Sequence, residues 1–310
     1  MEYWRVNDPM PAPGSSRSHP TPGRRVSAEE VSRLDLGRLG VASPVHVVVA
    51  DANDRSQAAG IACHVRSGRF PAGAFVRIEE GLYVESPEEA FLRVATELTL
   101  AALVRFGLLL CGTYVHNREG NGFRKRKGGP LTTVEALRRR VEKARGERGF
   151  NKAARALRFV ANGSASPMET ILCMALCLPR MLGGYGFELP RLNYWIDAGP
   201  ARGLLGRDHF ECDLYWPRCK TAIEYDSREF HEGTVAETRD SARRSGLLIR
   251  DVLVITVTRD QFFDARKLDE AARALAKRMG KRLPANDAGW MMKRHRLRAE
   301  LIEDLSRGRG

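Results

Sequence analysis

The chain has 310 residues, 43% of them hydrophobic, and a formal net charge of +13 at pH 7. That composition excludes a wholly disordered or fibrous chain and leaves room for two moderate hydrophobic cores. The longest apolar run, Leu98 to Cys111, is broken by Arg105 and falls short of the roughly 20 residues of a membrane span, so no membrane partner is expected. Met1 to Arg25 lacks the apolar h-region of a secretory signal, and six scattered cysteines without close pairing suit a reducing cytoplasm, the expected location.

In chain order, residues 1–42 carry Pro9, Pro11, Pro13, Pro20 and Pro22 among Ser, Gly and Arg, and are expected to form a disordered tail. Residues 43–117 predict a small α+β domain. Its parts are a β-branched strand at Val45 to Ala50, strands Phe75 to Ile78 and Leu82 to Val84 around Gly81, and helical periodicity over Pro87 to Leu109. Residues 118–160 form a basic loop and helices. Thr132 with Glu135 predicts a capping box opening a helix over Thr133 to Ala144 that bears Arg138, Arg139, Arg140 and Lys143; a second helix, Lys152 to Val160, bears Arg155 and Arg158.

Residues 161–283 form the larger expected domain. Ser166, Pro167 and Glu169 read as a second capping box starting an apolar helix through Cys177, and Gly183, Gly184 and Gly186 as ordinary turns. An extended piece at Leu192 to Ile196, a hairpin, a helix near Val235 to Leu247, an apolar strand at Val252 to Thr258 and a helix near Ala265 to Met279 follow. Residues 284–310 read as a basic tail. The fold class is α/β: a mixed sheet flanked by helices, preceded by the smaller α+β domain.

The positive charge is local. Residues 118–158 hold 14 Lys or Arg against 4 acids, and residues 277–310 hold 10 against 4, leaving the remainder slightly acidic. Two basic blocks are the footprint of a polyanion binder, so nucleic acid is the expected partner. Arg138, Arg139, Lys143, Arg155 and, further on, Arg244 are the backbone-binding candidates.

The most informative segment is the hairpin from Phe210 to Trp216 and Lys220 to Asp226. A turn centred between Arg218 and Cys219 sets Asp213 opposite Glu224 and Glu211 opposite Asp226, gathering four acids on one face. The other face then carries Phe210, Cys212, Leu214 and Trp216 with Thr221, Ile223 and Tyr225. Like charges in such positions repel by roughly 4 kcal/mol at about 4 Å and an effective dielectric near 20. A hard divalent cation with oxygen ligands, Mg²⁺ or Mn²⁺, relieves that repulsion, as do protonation and divergence into solvent.

Glu169 on a helix, Asp213 on one strand and Glu224 on the next together resemble the PD-(D/E)XK restriction-endonuclease-like core. The run Glu224, Tyr225, Asp226 and Ser227 with His231, then Asp240 and Arg244 and the strand Val252 to Val257, is similar to uncharacterised families allied to very-short-patch-repair endonucleases. The segment Tyr83 to Cys111 looks faintly like the regulatory layout of abortive-infection or antitoxin-like proteins. The resemblance implies Asp213, Glu224 and Glu169 as metal ligands, Glu169, Asp213, Glu224, Asp226 and His231 as catalytic residues, and Mg²⁺ or Mn²⁺ as cofactor. Asp226 stands where the usual core has a lysine, so either His231, Arg244 or Lys220 substitutes for it or the site is inactive. The expected function is endonuclease-like hydrolysis of nucleic acid, DNA first, in a defence, repair or toxin-antitoxin setting. The alternative is a non-catalytic DNA-binding regulator built on the same scaffold. A Gly-x-Ser-x-Gly elbow is absent, and a zinc site from Cys173, Cys177, Cys212 and Cys219 is the lesser metal reading.

Overall fold

The structure is a computed structural model that describes residues 1–9, 25–66, 70–118, 122–205, 208–226, 243 and 245–306. Short helices α1 (Glu2–Val6), α2 (Ala28–Ser32) and α3 (Leu36–Leu39) open the chain. Strand β1 (Val45–Val49) pairs in parallel with β2 (Ile61–Val65), and β3 (Phe75–Glu79) with β4 (Leu82–Glu85) makes a hairpin whose turn places Gly81 at φ 74°. The helical stretch expected after Pro87 is two helices, α4 (Pro87–Val94) and α5 (Leu100–Leu110), because Ser86 and Thr99 each cap a separate N-terminus.

After the antiparallel pair β5 (Tyr114–His116) and β6 (Phe123–Lys125) come α6 (Val134–Lys143) and α7 (Phe150–Ala156). The cap of α6 is Thr133, one residue later than the sequence suggests; the Thr132 hydroxyl instead donates to the Glu88 carboxylate. Helix α8 (Pro167–Cys177) is buried along nearly its whole length. It leads into the four-stranded sheet of β7 (Arg191–Asp197), β8 (His209–Trp216), β9 (Thr221–Asp226) and β10 (Leu253–Thr258), with α9 (Arg202–Leu205) between β7 and β8. Strands β7, β8 and β9 form an antiparallel meander, and β10 joins β9 in parallel, giving the order β10-β9-β8-β7. The crossover includes α10 (residues 245–249). Then α11 (Arg259–Phe263), α12 (Ala265–Arg278) and α13 (Ala288–Ser306) complete the chain, which is mixed α/β as its sequence pattern implies.

One hydrophobic core runs from α1 to α13 and takes in Phe91, Leu108, Leu137, Leu172 and Trp216. The boundary expected at residue 161 therefore does not coincide with a break in packing, since α5 and α8 pack in the same core. A second, smaller core of Ile196, Phe210, Cys212, Tyr215, Ala222 and Leu247 covers the opposite side of the sheet.

Both expected tails require correction. Tyr3 and Trp4 belong to the core: Trp4 is 2% exposed and its indole N–H donates to the Glu85 carbonyl at 2.8 Å; residues 10–24 lie outside the described residues. At the other end, α13 buries Trp290, Leu297 and Leu301. Its Arg294 bonds Asp269 at 2.7 Å, and Arg298 donates to the carbonyls of Phe262 and Phe263 at 2.6 Å. Composition hides this because the same arginines that signal a solvated tail close off orphan helix carbonyls when buried. Gly183, at φ 94°, admits α13: a Cβ there would sit 2.4 Å from the Lys293 carbonyl oxygen.

If the N-terminus is core, Trp4→Ala lowers stability by about 3 to 5 kcal/mol, read as a shifted urea midpoint. A tail residue would leave the midpoint where it is.

Candidate functional site

The hairpin register follows from its turn. Pro217–Cys219 form a single 3-10 turn and Lys220 takes φ 46°, which pairs Leu214 with Ile223 and Trp216 with Thr221. This is the register that sets Asp213 against Glu224, but the ladder stops one pair short of them.

The reason lies in β7. Asn193 adopts φ 45°, an uncommon conformation that Asn tolerates better than most residues. On β7, Leu192 faces the large core while Tyr194 and Ile196 face the small one; on β8, Leu214 faces the large core while Cys212 and Phe210 face the small one. Residues two apart on an uninterrupted strand share a face, so both strands reverse sides together at Asn193 and Asp213. The single apolar layer expected for Phe210, Cys212, Leu214 and Trp216 is therefore divided between two cores. At the reversal the Asp213 carboxylate Oδ2 accepts the Tyr225 amide at 2.9 Å, standing in for the missing ladder bond to β9.

Glu169 reaches the same place from α8. Ser166 caps that helix and accepts the Glu169 amide at 3.1 Å, but the Glu169 side chain does not close the expected capping box. Its Oε2 accepts from the Ala165 amide at 2.8 Å and from the Asn193 side chain at 2.5 Å. Asn193 also donates to the Gly163 carbonyl at 2.9 Å, and the neighbouring Asn162 accepts the Val134 amide at the start of α6. The 160–166 connection thus ties α6, α8 and β7 together around the acid.

All three carboxyls are raised, and the Asp213 charge acts on both of the others. Burial pushes Glu224 up to about 7, with the Asp213 charge adding to it and Arg243 opposing it. Burial, then the Asp213 charge, pushes Glu169 up to about 6, against the Ala165 amide and Asn193. Asp213 is itself raised, by burial first, with the Tyr225 amide and Arg243 pulling down and Glu211 pushing up.

Arg243, which sequence reasoning passed over in favour of Arg244, is the cation here. Its Nη2 donates to Glu224 Oε1 and to the Glu211 carbonyl, both at 2.5 Å, while its Nη1 is buried with no hydrogen-bond partner. Glu211 is exposed, although its charge acts on Asp213, and Asp226 ends β9 half-buried opposite Thr258. Lys220 is no substitute lysine: it sits at the opposite end of β9 and pairs with Asp251 at 3.5 Å. His231, Asp240 and Arg244 lie outside the described residues.

The oxygen-only donor set of Asp213, Glu224 and Glu169 suits a hard divalent cation. Among the described residues, however, no three Asp, Glu, His or Cys side chains are arranged to hold an ion; Arg243 donates to Glu224 and Asn193 to Glu169. The four-cysteine reading does not survive packing: Cys173 and Cys177 are buried on α8 and Cys212 faces the small core. Of the basic candidates, Arg138, Arg139 and Lys143 on α6 and Arg155 on α7 are exposed, whereas Arg140 is held by Glu89 and Glu147.

No family model matches the chain. Two uncharacterized proteins, from two strains of Mycobacterium tuberculosis, are each 30% identical to it over 117 residues, covering 36% of this chain and 39% of theirs. The chain thus matches about two fifths of the length of these curated relatives. No solved structure matches it.

The raised carboxyls make stability depend on pH. With native values above the ordinary 4.5, the folded state holds protons that the unfolded state has released, so stability falls as pH rises from about 4.5 to about 7. Glu169→Gln removes the part of that fall below about 6, a gain on the order of 2 kcal/mol at pH 8, measured by urea unfolding across pH. An unchanged pH profile would place Glu169 among ordinary surface acids.

Proposed function

We propose that the chain hydrolyses phosphodiester bonds in nucleic acid, with Mg²⁺ or Mn²⁺ held by Asp213, Glu224 and Glu169. The observation that carries this reading is three raised carboxyls contributed by α8, β8 and β9, of which Glu169 and Glu224 are both pushed up further by the Asp213 charge between them. Their order along the chain is the order in which the PD-(D/E)XK resemblance has its acids. Burying like charges is costly unless something neutralises them, and a structural scaffold has no need of the expense.

When bound, the metal supplies Lewis-acid polarisation of the scissile phosphate. The protein's own groups do the rest. Glu224 would have to exchange its Arg243 partner to act as a ligand, and Arg243, whose Nη1 has no hydrogen-bond partner among the described residues, would be available to donate to a phosphate oxygen. This answers the missing lysine, because a guanidinium carries its charge at any working pH and can donate from two nitrogens. Glu169, at about 6, gives up its proton near neutrality and would then be charged, as a ligand must be. Arg138, Arg139, Lys143 and Arg155 supply exposed positive charge for the polymer backbone, a contact that positions without reading sequence. DNA is the expected polymer, acted on in the cytoplasm. No helix among the described residues is long and apolar enough to cross a membrane.

The Arg243 to Glu224 bond also favours a second reading, in which the guanidinium permanently fills the cation position and the chain is a non-catalytic DNA-binding regulator of antitoxin type. The two differ in their response to metal. Hydrolysis predicts nicking of plasmid, or cleavage of single-stranded DNA or RNA, with Mg²⁺ or Mn²⁺, falling about 100-fold or more in Asp213→Asn and in Arg243→Ala. Retention of DNA with no cleavage and no Mn²⁺ heat in calorimetry would support the regulator.

A further inference from the structure

The two edges of the four-stranded sheet differ in how they are protected. The β7 edge carries Arg191, Asp197 and the positive-φ Asn193, charges and an irregularity of the kind that keep a sheet from pairing further. The β10 edge has none of these. Val252 to Thr258 contains no charge, glycine or proline, and every residue but Leu253 is β-branched. Among the described residues no strand pairs with β10 on its outer side.

The ladder fixes which backbone groups that edge offers. β10 runs parallel to β9, and the Leu253 amide donates to the Lys220 carbonyl at 3.0 Å. Backbone groups of successive strand residues turn to alternate sides, so Leu253, Ile255 and Val257 serve β9, while the N–H and C=O of Val254 and Thr256 face outward. Large apolar side chains lie exposed beside them: Leu253 at the start of β10, and Leu248 and Ile249 on α10, with Leu248 75% exposed. An exposed group of this kind marks an interaction surface.

The residues flanking the strand say what it pairs with. Antiparallel pairing with β10 of a second copy, about a two-fold axis at Ile255, sets Val254 opposite Thr256, so that the outward groups of both bond each other. It also sets Leu253 opposite Val257 and Ile255 against its own copy, β-branched and aliphatic neighbours that suit a cross-strand pair. Two residues further out the same register brings Asp251 beside Arg259 at both ends. Both side chains are exposed; Lys220 Nζ lies 3.5 Å from Asp251 Oδ2, too exposed a pair to hold the acid firmly, and Arg259 stands 5.7 Å from the Phe263 ring centroid. An axis one residue either way sets Arg259 beside Ile249 or Leu253 instead. We infer that β10 is the pairing edge of a homodimer, in which the sheets of two copies join into one continuous sheet. An arbitrary extended segment satisfies the backbone groups but not both charged ends. The inference is independent of the carboxylate site and stands whether or not the chain cleaves nucleic acid.

The test is sedimentation velocity of the full chain from about 1 µM to about 100 µM in about 0.15 M salt, which screens the repulsion of two +13 chains beyond about 8 Å. A monomer–dimer equilibrium is expected. Amide hydrogen exchange on the same samples is expected to show Val254 and Thr256 protected at the high concentration and exchanging at the low. Thr256→Pro, tolerable in a monomer because the lost amide faces outward, weakens association at least about tenfold. Arg259→Glu does the same, and adding Asp251→Lys recovers most of the loss, which a merely destabilised fold would not do. The charge reversal decides the matter if Thr256→Pro fails to fold. A monomer at every concentration, or protection of the two amides that does not change with concentration, the mark of an edge covered by its own chain, overturns the inference. So does a dimer undiminished in folded Thr256→Pro or Arg259→Glu.

Discussion

The reversal of β7 and β8 at Asn193 and Asp213 is the constraint on which the acidic site depends. Had both strands run regularly, Cys212 and Leu214 would share one core and Asp213 would lie on a plain sheet face. Because both strands change sides at one level, the ladder to β9 opens there, and the Asp213 carboxylate is drawn in to accept the Tyr225 amide. Asn193 sustains the reversal twice over. It adopts φ 45°, and its side chain ties β7 to Gly163 and to Glu169 at the head of α8. The same feature that interrupts the sheet thus brings the helix acid and the strand acids into each other's field.

Electrostatics then separates arginines into two uses. Arg294 and Arg298 are buried on α13, where they close carbonyls of α11 and its neighbour and fasten the C-terminal helix to the core. Arg140 likewise belongs to an ion-pair network with Glu89 and Glu147. These side chains are spoken for, and removing them costs packing and hydrogen bonds as well as charge. Arg138, Arg139, Lys143 and Arg155 remain exposed on α6 and α7. Total charge overstates the surface open to a polyanion, and the basic block near the C-terminus is more structural than its composition suggests.

Local chemistry made much of this legible. The hairpin register, the β3–β4 turn at Gly81 and the cap at Ser166 follow from residues close in sequence, whereas the strand after the crossover, apolar enough for a central position covered on both faces, is the edge strand β10 and is only partly buried. What escaped depends on distant partners. Nothing around Trp4 indicates that Glu85, 81 residues later, will take its N–H. The sequence around Arg243 likewise gives no sign that its guanidinium will meet Glu224, 19 residues earlier on β9. Asn193 reads as an ordinary strand residue until its neighbours on β8 and α8 are in place. The Pro-rich opening also masked α1, because composition averaged over 42 residues hides a single apolar turn.

The central claim is that Glu169, Asp213 and Glu224 form one electrostatically coupled group. Carboxyl-carbon NMR titration of selectively labelled protein, without and with Mg²⁺, measures this most directly. The account predicts that Glu224 titrates near 7 and Glu169 near 6, that both move down in Asp213→Asn, and that Mg²⁺ draws both into the charged form. Three independent titrations at ordinary carboxylate values, indifferent to Asp213 and to metal, would contradict it.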